Sequence, residues 1–221
     1  MRFKDFLNES NRKTSHLRRL SLTESDYTVQ PKTKDELAQI IKDYCEENGW
    51  NSDLNFIDTS LITDMSYLFS GLVINGLKNR NLDKFNGDIS KWDVSNVKDM
   101  EYMFCGARDF NQPLNNWDVS NVKDMSCMFC DALSFNQPLD KWDVSKVESM
   151  SGMFEWAKSF NQPLNKWDVS NVEYMNFMFC EAKSFNQSLD NWDVSNVKDM
   201  GYMFEDSKLE KEHNLPKWYN E

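Results

Sequence analysis

The chain has 221 residues, with 25 Lys and Arg against 36 Asp and Glu, a formal charge of −11. That length suits one domain or one repeat array, and the acidic balance argues against nucleic-acid binding and against attraction to an anionic membrane, both of which call for a basic face. Apolar residues make up 40% of the chain, aromatics 14%, with 12 methionines, so the apolar content lies in large side chains that fill a core from few positions.

Residues 1–26 are polar, with basic patches at Arg12, Lys13, Arg18 and Arg19, and read as a weakly ordered N-terminal arm. The start MRFKDFLNES has neither the long apolar stretch nor the small-residue cleavage site of a secretory signal, and no early cysteine for a lipid anchor. No run of about eighteen apolar residues occurs anywhere, so no membrane insertion is expected. Residues 27–49 are expected to form an N-terminal cap. Thr33 to Glu36 has the spacing of a capping box. Leu37, Ile40, Ile41, Tyr44 and Cys45 follow at helical spacing, and Asn48-Gly49 is a helix stop.

Residues 50–209 are dominated by a repeat. Trp-Asp-Val-Ser begins at Trp92, Trp117, Trp142, Trp167 and Trp192, a step of 25 residues each time. The complete unit reads FNQPLNNWDVSNVKDMSCMFCDALS from Phe110 to Ser134, and a degenerate copy, IDTSLITDMSYLF, runs from Ile57 to Phe69. That copy requires an insertion of ten residues between Leu72 and Lys84. A fixed period of this size means stacked units that cover one another's open faces. Within a unit, Met125, Met128, Phe129 and Ala132 fall at i, i+3, i+4 and i+7, which predicts a helix of about two turns. Phe110, Leu114, Trp117, Val119 and Val122 suit short strands broken by turns, and Pro113, Pro138 and Pro163 punctuate them. Asp118-Val-Ser-Asn is turn chemistry. The expectation is an α/β solenoid of about six coils, each made of short strands, a turn and a short helix. Residues 210–221, with Leu215, Trp218 and Tyr219, are expected to close the far end as a C-terminal cap.

The unit F-N-Q-P-L-x-x-W-D-V-S-N-V-x-x-M-x-x-M-F-x-x-A resembles the repeat of BspA-like leucine-rich-repeat surface proteins, in the version abundant in mycoplasmas and gut bacteria and catalogued as a domain of unknown function. PKTKDELAQIIKDY is similar to the helix that precedes such arrays. The resemblance implies a leucine-rich-repeat-like stack and a role in adhesion or protein binding, with a protein or cell-surface macromolecule as partner, no cofactor and no catalytic residues. It also suggests the cell surface, although members sent there usually carry a leader or anchor. A second resemblance concerns the N-terminus. Met1–Glu9, ending in Leu7-Asn8-Glu9, is similar to the capsid-targeting leader of proteins packaged by T-even-type phages, and Leu22-Thr23-Glu24 fits the same cleavage pattern. The alternative reading is therefore a virion-packaged or host-interaction protein.

Little in the chain suggests catalysis. The two histidines, His16 and His213, lie outside the array, no Ser/His/Asp or Cys/His pair is indicated, and no phosphate loop is present. Cys127-Met-Phe-Cys130 lacks the second pair that zinc would want, and the five cysteines read as reduced thiols. A Cys105–Cys130 disulfide between adjacent coils is geometrically conceivable under oxidation. The slot shared by Cys105, Cys130, Glu155, Cys180 and Glu205 accepts Glu and so is expected to face solvent or an edge. The Asp ladder (Asp93, Asp118, Asp143, Asp168, Asp193) is expected to bond its own turns rather than calcium. Asn111, Asn136, Asn161 and Asn186 are expected to form a side-chain ladder. Slots that vary between copies show where architecture does not dictate: Tyr102, Cys127, Gly152, Phe177 and Tyr202 form one row, and Gly106, Asp131, Trp156, Glu181 and Asp206 another. Tyr102, Trp156, Phe177 and Tyr202 are the candidate binding residues, expected at least partly in water.

Overall fold

The computed structural model describes residues 29–70, 73–74, 77–78 and 82–219. The expected arm over residues 1–26, with the leader-like segment Met1–Glu9, lies outside them.

Helix α1 (Lys34–Asn48) forms where the capping signals stand. The Thr33 hydroxyl accepts the Glu36 N–H at 3.2 Å, and the Glu36 carboxylate accepts the Lys32 N–H at 2.7 Å. The reciprocal bond thus closes one residue earlier than in a standard capping box. Gly49 ends the helix at φ 98°, its N–H donated to the Cys45 carbonyl. Leu37, Ile40, Ile41 and Cys45 are buried and join the core of the repeats. Lys34 reaches across to the first repeat, its Nζ donating to Asp64 Oδ2 and Ser66 Oγ, each at 2.7 Å.

From Leu54 onward, equivalent residues of successive repeats lie side by side, and one continuous core runs through them. Phe104, Phe129, Phe154, Phe179 and Phe204 form a column of parallel rings with centroids 5.5–5.8 Å apart. Phe110, Phe135, Phe160 and Phe185 form a second, at 5.9–6.0 Å. Inside each coil the two columns touch at 4.0–4.2 Å. The buried tryptophans keep their indole N–H groups bonded. Trp142 donates to the Leu114 carbonyl of the preceding coil at 2.9 Å, and Trp117, Trp167 and Trp192 do the same with Ile89, Leu139 and Leu164. A ring that large would otherwise strand a donor in the core.

The expected two-turn helix does not form. In Met125–Ala132 every second amide closes a tight turn: Met128 on Met125, Cys130 on Cys127 and Ala132 on Phe129, at 3.1–3.2 Å. The alternate amides leave the coil altogether. Met125, Cys127, Phe129 and Asp131 donate to the carbonyls of Ser149, Ser151, Met153 and Glu155 in the next coil, at 2.8–3.0 Å. A helix would spend all of these on carbonyls four residues back. Left-handed residues at Cys127 (φ 53°) and Asp131 (φ 55°) turn the chain so that the neighbouring coil takes them instead. The apolar spacing still serves, because Met125, Met128, Phe129 and Ala132 are all fully buried. The short strands expected over residues 110–122 do not form, since turns interrupt that stretch; the bridges between coils are single parallel ones just after it, Asp64↔Asp99, Asp99↔Asp124, Asp124↔Ser149, Ser149↔Tyr174 and Tyr174↔Asp199.

This bonding has a direction. Met100, Tyr102, Phe104 and Gly106 donate forward to Asp124, Ser126, Met128 and Cys130, and the pattern continues coil by coil to Met175, Phe177, Phe179 and Glu181. Over this strip, N–H groups point toward the C-terminal coil and carbonyls toward the N-terminal one. Their peptide dipoles align across coils as those of a helix align along it. Other columns run the opposite way: Lys123, Glu148, Glu173 and Lys198 donate back to Lys98, Lys123, Glu148 and Glu173.

The inserted residues hold a minimal hairpin, β1 (Val73–Ile74) against antiparallel β2 (Leu77–Lys78), with Val73 opposite Lys78 and Ile74 opposite Leu77. At the far end, Ser207 caps the short helix α2 (Lys208–Lys211), whose Leu209 is buried. Trp218 then lies parallel to Trp192 at 6.4 Å and donates to the Leu189 carbonyl, while Tyr219 meets Phe204 edge-on at 5.0 Å. Leu215 and Trp218 thus stand over Leu189 and Trp192 as the first half of one more coil.

Candidate functional site

The polar ladders go to the backbone. The carboxylates of Asp93, Asp118, Asp143, Asp168 and Asp193 each accept the N–H of the serine two residues on, at 3.0–3.1 Å. For Asp143 and Asp193 the serines Ser145 and Ser195 hold the carboxyl below its ordinary pKa. The Asn ladder links coils: Asn136 donates its N–H to Asn111 Oδ1, Asn161 to Asn136 Oδ1 and Asn186 to Asn161 Oδ1, at 2.9–3.0 Å. Among the described residues no group of three His, Cys, Asp or Glu is arranged to hold a metal ion, and no helix is long and apolar enough to cross a membrane. His213 lies in the tail and His16 outside the described residues.

The thiol slot differs from the solvent-facing or edge position expected of it. Cys105 and Cys180 are buried, Cys130 and Glu155 half-buried, and only Glu205, in the last coil, is exposed. The five cysteines are free thiols. Cys130 hydrogen-bonds with Cys105 of the preceding coil and with Cys127 of its own. Cys127 is pushed well above the ordinary thiol pKa by its bond with Cys130 and then by burial, and Cys130 by its bond with Cys105 and then by burial, against the opposing pull of its bond with Cys127. Cys45 is pushed to about 12 by burial. Protonated thiols are poor nucleophiles and poor ligands, so Cys45, Cys127 and Cys130 are chemically quiet as they stand. Gly152 makes room for it, since a Cβ there would sit 2.9 Å from Cys127 Sγ.

The candidate binding residues share one backbone peculiarity. Tyr102, Phe177 and Tyr202 occupy the first left-handed slot, at φ 54°, 59° and 57°, and Trp156 the second, at φ 58°. Tyr102 and Phe177 are half-buried, while Trp156 and Tyr202 are 41% and 61% exposed. The structure pairs them in two places. Tyr102 lies parallel to Tyr67 at 4.8 Å and Phe177 parallel to Tyr202 at 5.2 Å, with Cys127 and Gly152 separating the pairs along the row. Trp156 stands in the adjacent row with Lys158 Nζ 5.6 Å from its ring centroid. Two further aromatics belong to this face and escape the sequence reading. Tyr67 is the Tyr102 equivalent in the degenerate copy, and its alignment there was the available signal. Tyr174, exposed beneath Lys198, stands in a slot otherwise held by Asp99, Asp124, Ser149 and Asp199.

The face is acidic near its N-terminal end. Asp64, Asp99 and Asp124 follow one another on adjacent coils with Glu101 beside them. Burial raises the carboxyl pKa of Asp99 and Glu101, and the neighbouring acids add to it. Further along, Lys123–Glu148 and Glu173–Lys198 bridge adjacent coils at 2.6 and 2.7 Å. Both pairs are exposed enough that each is worth about 0–1 kcal/mol.

One family model matches the chain, over residues 36–150 and again over 128–218; its description is Mycoplasma protein of unknown function, DUF285. No curated protein and no solved structure matches.

Proposed function

The chain belongs to the family described as Mycoplasma protein of unknown function, DUF285, and within it we propose a non-catalytic, leucine-rich-repeat-like solenoid of the BspA-like kind that binds a protein partner through its aromatic face. The observation that carries the reading is the conformation of Tyr102, Trp156, Phe177 and Tyr202. Each is a bulky side chain in a left-handed slot, where a Cβ costs about 1–2 kcal/mol. The same slots hold Gly106 and Gly152 in other coils, so the fold does not need a ring there. Rings kept at a conformational cost and left partly in water support a surface contact. Aromatics on a preformed frame bind with little ordering cost.

The test replaces all four by glycine, which the left-handed slots accept, so the frame stays intact by circular dichroism and thermal melting. Immobilised wild-type protein and the Tyr102→Gly, Trp156→Gly, Phe177→Gly, Tyr202→Gly variant are each exposed to mycoplasma and host-cell surface extracts. The expected result is a defined protein retained by the first and lost from the second, with at least a tenfold difference in Kd once purified. Equal affinity for both overturns the reading.

A further inference from the structure

The forward-pointing amides run out at the last coil. Met175, Phe177, Phe179 and Glu181 still find the carbonyls of Asp199, Gly201, Met203 and Glu205 at 2.8–3.0 Å. In the coil after them, the Asp206 N–H is taken by the Glu210 carboxylate at 2.7 Å, whereas the N–H groups of Met200, Tyr202 and Phe204 have no acceptor among the described residues. The core is open along the same edge. Val194, Val197 and Met200 are half-buried, while Val169, Val172 and Met175 one coil earlier are at most 1% exposed. The tail covers the rest of the coil, with Trp218 over Trp192 and Tyr219 against the Phe204 ring, so the open apolar stretch is Val194, Val197 and Met200.

An edge with a row of unmet donors beside open apolar side chains is a template for an added segment. We infer that this edge docks a segment of another polypeptide in the turn-rich half-coil pattern V-S-N-V-x-x-M-x-x-M-F, which gives its carbonyls to the amides of Met200, Tyr202 and Phe204 and lays its Val and Met side chains on Val194, Val197 and Met200. The polarity of the backbone selects this occupant. Only a chain with the same alternation of right- and left-handed residues turns a row of carbonyls, free of intervening N–H groups, to one side. Two copies of this protein meeting edge to edge would set donors against donors. The opposite end of a second copy is closed, since Ser66 and Leu68 are buried there and Lys34 is bonded to Asp64 and Ser66. The site is separate from the aromatic face, sharing with it only Tyr202, whose amide serves here and whose ring serves there, so either proposal survives the failure of the other.

The probe is a synthetic peptide of residues 169–182 carrying Cys180→Ser, with a scrambled peptide as control. Amide hydrogen exchange of the full chain is followed residue by residue by NMR. The expected result is fast exchange at Met200, Tyr202 and Phe204 in the protein alone and at least tenfold slowing with the peptide but not with the scrambled one. Appending the same half-coil after the C-terminus through a flexible linker slows the three amides without added peptide and removes peptide binding. Unchanged exchange with peptide, equal slowing by the scrambled peptide, or slowing that depends only on protein concentration, which would make a second copy the occupant, each overturns the inference.

Discussion

Replacing Phe177 by glycine is expected to leave the protein more stable than replacing it by alanine. Both changes remove the ring and its 5.2 Å stack on Tyr202, so that loss cancels in the comparison. Both keep the 3.0 Å bond from the residue 177 amide to the Gly201 carbonyl. What remains is one Cβ at φ 59°. In the left-handed region it costs about 1–2 kcal/mol, and the extra freedom of glycine in the unfolded chain returns about 0.5–1 kcal/mol of that. The glycine variant should therefore lead by about 0.5–1 kcal/mol. In a helix the order reverses, with alanine ahead by about 1 kcal/mol. Urea unfolding followed by tryptophan fluorescence reads the sign directly, because Trp142, Trp167 and Trp192 are buried. With a slope of about 2 kcal/mol per molar, the glycine midpoint should lie about 0.25–0.5 M higher. An alanine variant with the higher midpoint would refute the left-handed turn and restore the helix that the apolar spacing suggests.

Phe154→Ala empties a fully buried position in contact with Phe129, Phe160 and Phe179 and should cost about 3–5 kcal/mol. A loss below 1 kcal/mol in the same urea assay would show that the two phenylalanine columns do not carry the core. Asn136→Ala leaves the Asn161 N–H and Gln162 Nε2 without their acceptor, a cost of about 1–3 kcal/mol. Asn136→Asp restores the oxygen and should recover most of the loss in melting temperature, whereas equal melting of the two variants would remove the Asn ladder from the account. Glu101→Gln tests the acidic strip. Burial and then the charges of Asp124 and Asp99 raise the Glu101 pKa in the folded state, so its ionisation costs stability as pH rises through the folded value. The variant should melt higher than wild type at pH 7, with the gain shrinking toward pH 4. A gain that is the same at both pH values would contradict the assignment.

The period, the buried columns, the Thr33 cap and the Asp-to-Ser turns are legible in the sequence because repetition averages out local accident. Five aligned copies of Trp-Asp-Val-Ser leave little freedom about which side chains face inward. The handedness of the Met-x-x-Met-Phe segment is not legible in the same way. Apolar positions at i, i+3, i+4 and i+7 suit a helix, and they suit equally a run of turns whose alternate amides are claimed by a neighbour. The distinguishing signal is small: one slot holds Gly106, Asp131 and Asp206, residue types that tolerate a positive φ, and another holds Gly152. The burial of Cys105 and Cys180 was hidden because the slot's tolerance of Glu reads as exposure, whereas Glu155 is half-buried and only Glu205, at the end of the array, is exposed. Tyr174 joins the aromatic face through a single departure from an otherwise Asp- or Ser-bearing slot, which one chain alone cannot distinguish from drift.

The unidirectional amide strip makes the molecule modular in a strict sense. Excising residues 110–134 would bring each severed amide of the strip (Met100, Tyr102, Phe104, Gly106) opposite an equivalent carbonyl (Ser149, Ser151, Met153, Glu155), because each backbone surface a coil leaves behind is the one its successor also offers. Gene segments of this size can be gained or lost without redesign of any junction, so the span of the molecule is a quantity that recombination can adjust in equal increments while both end pieces stay as they are.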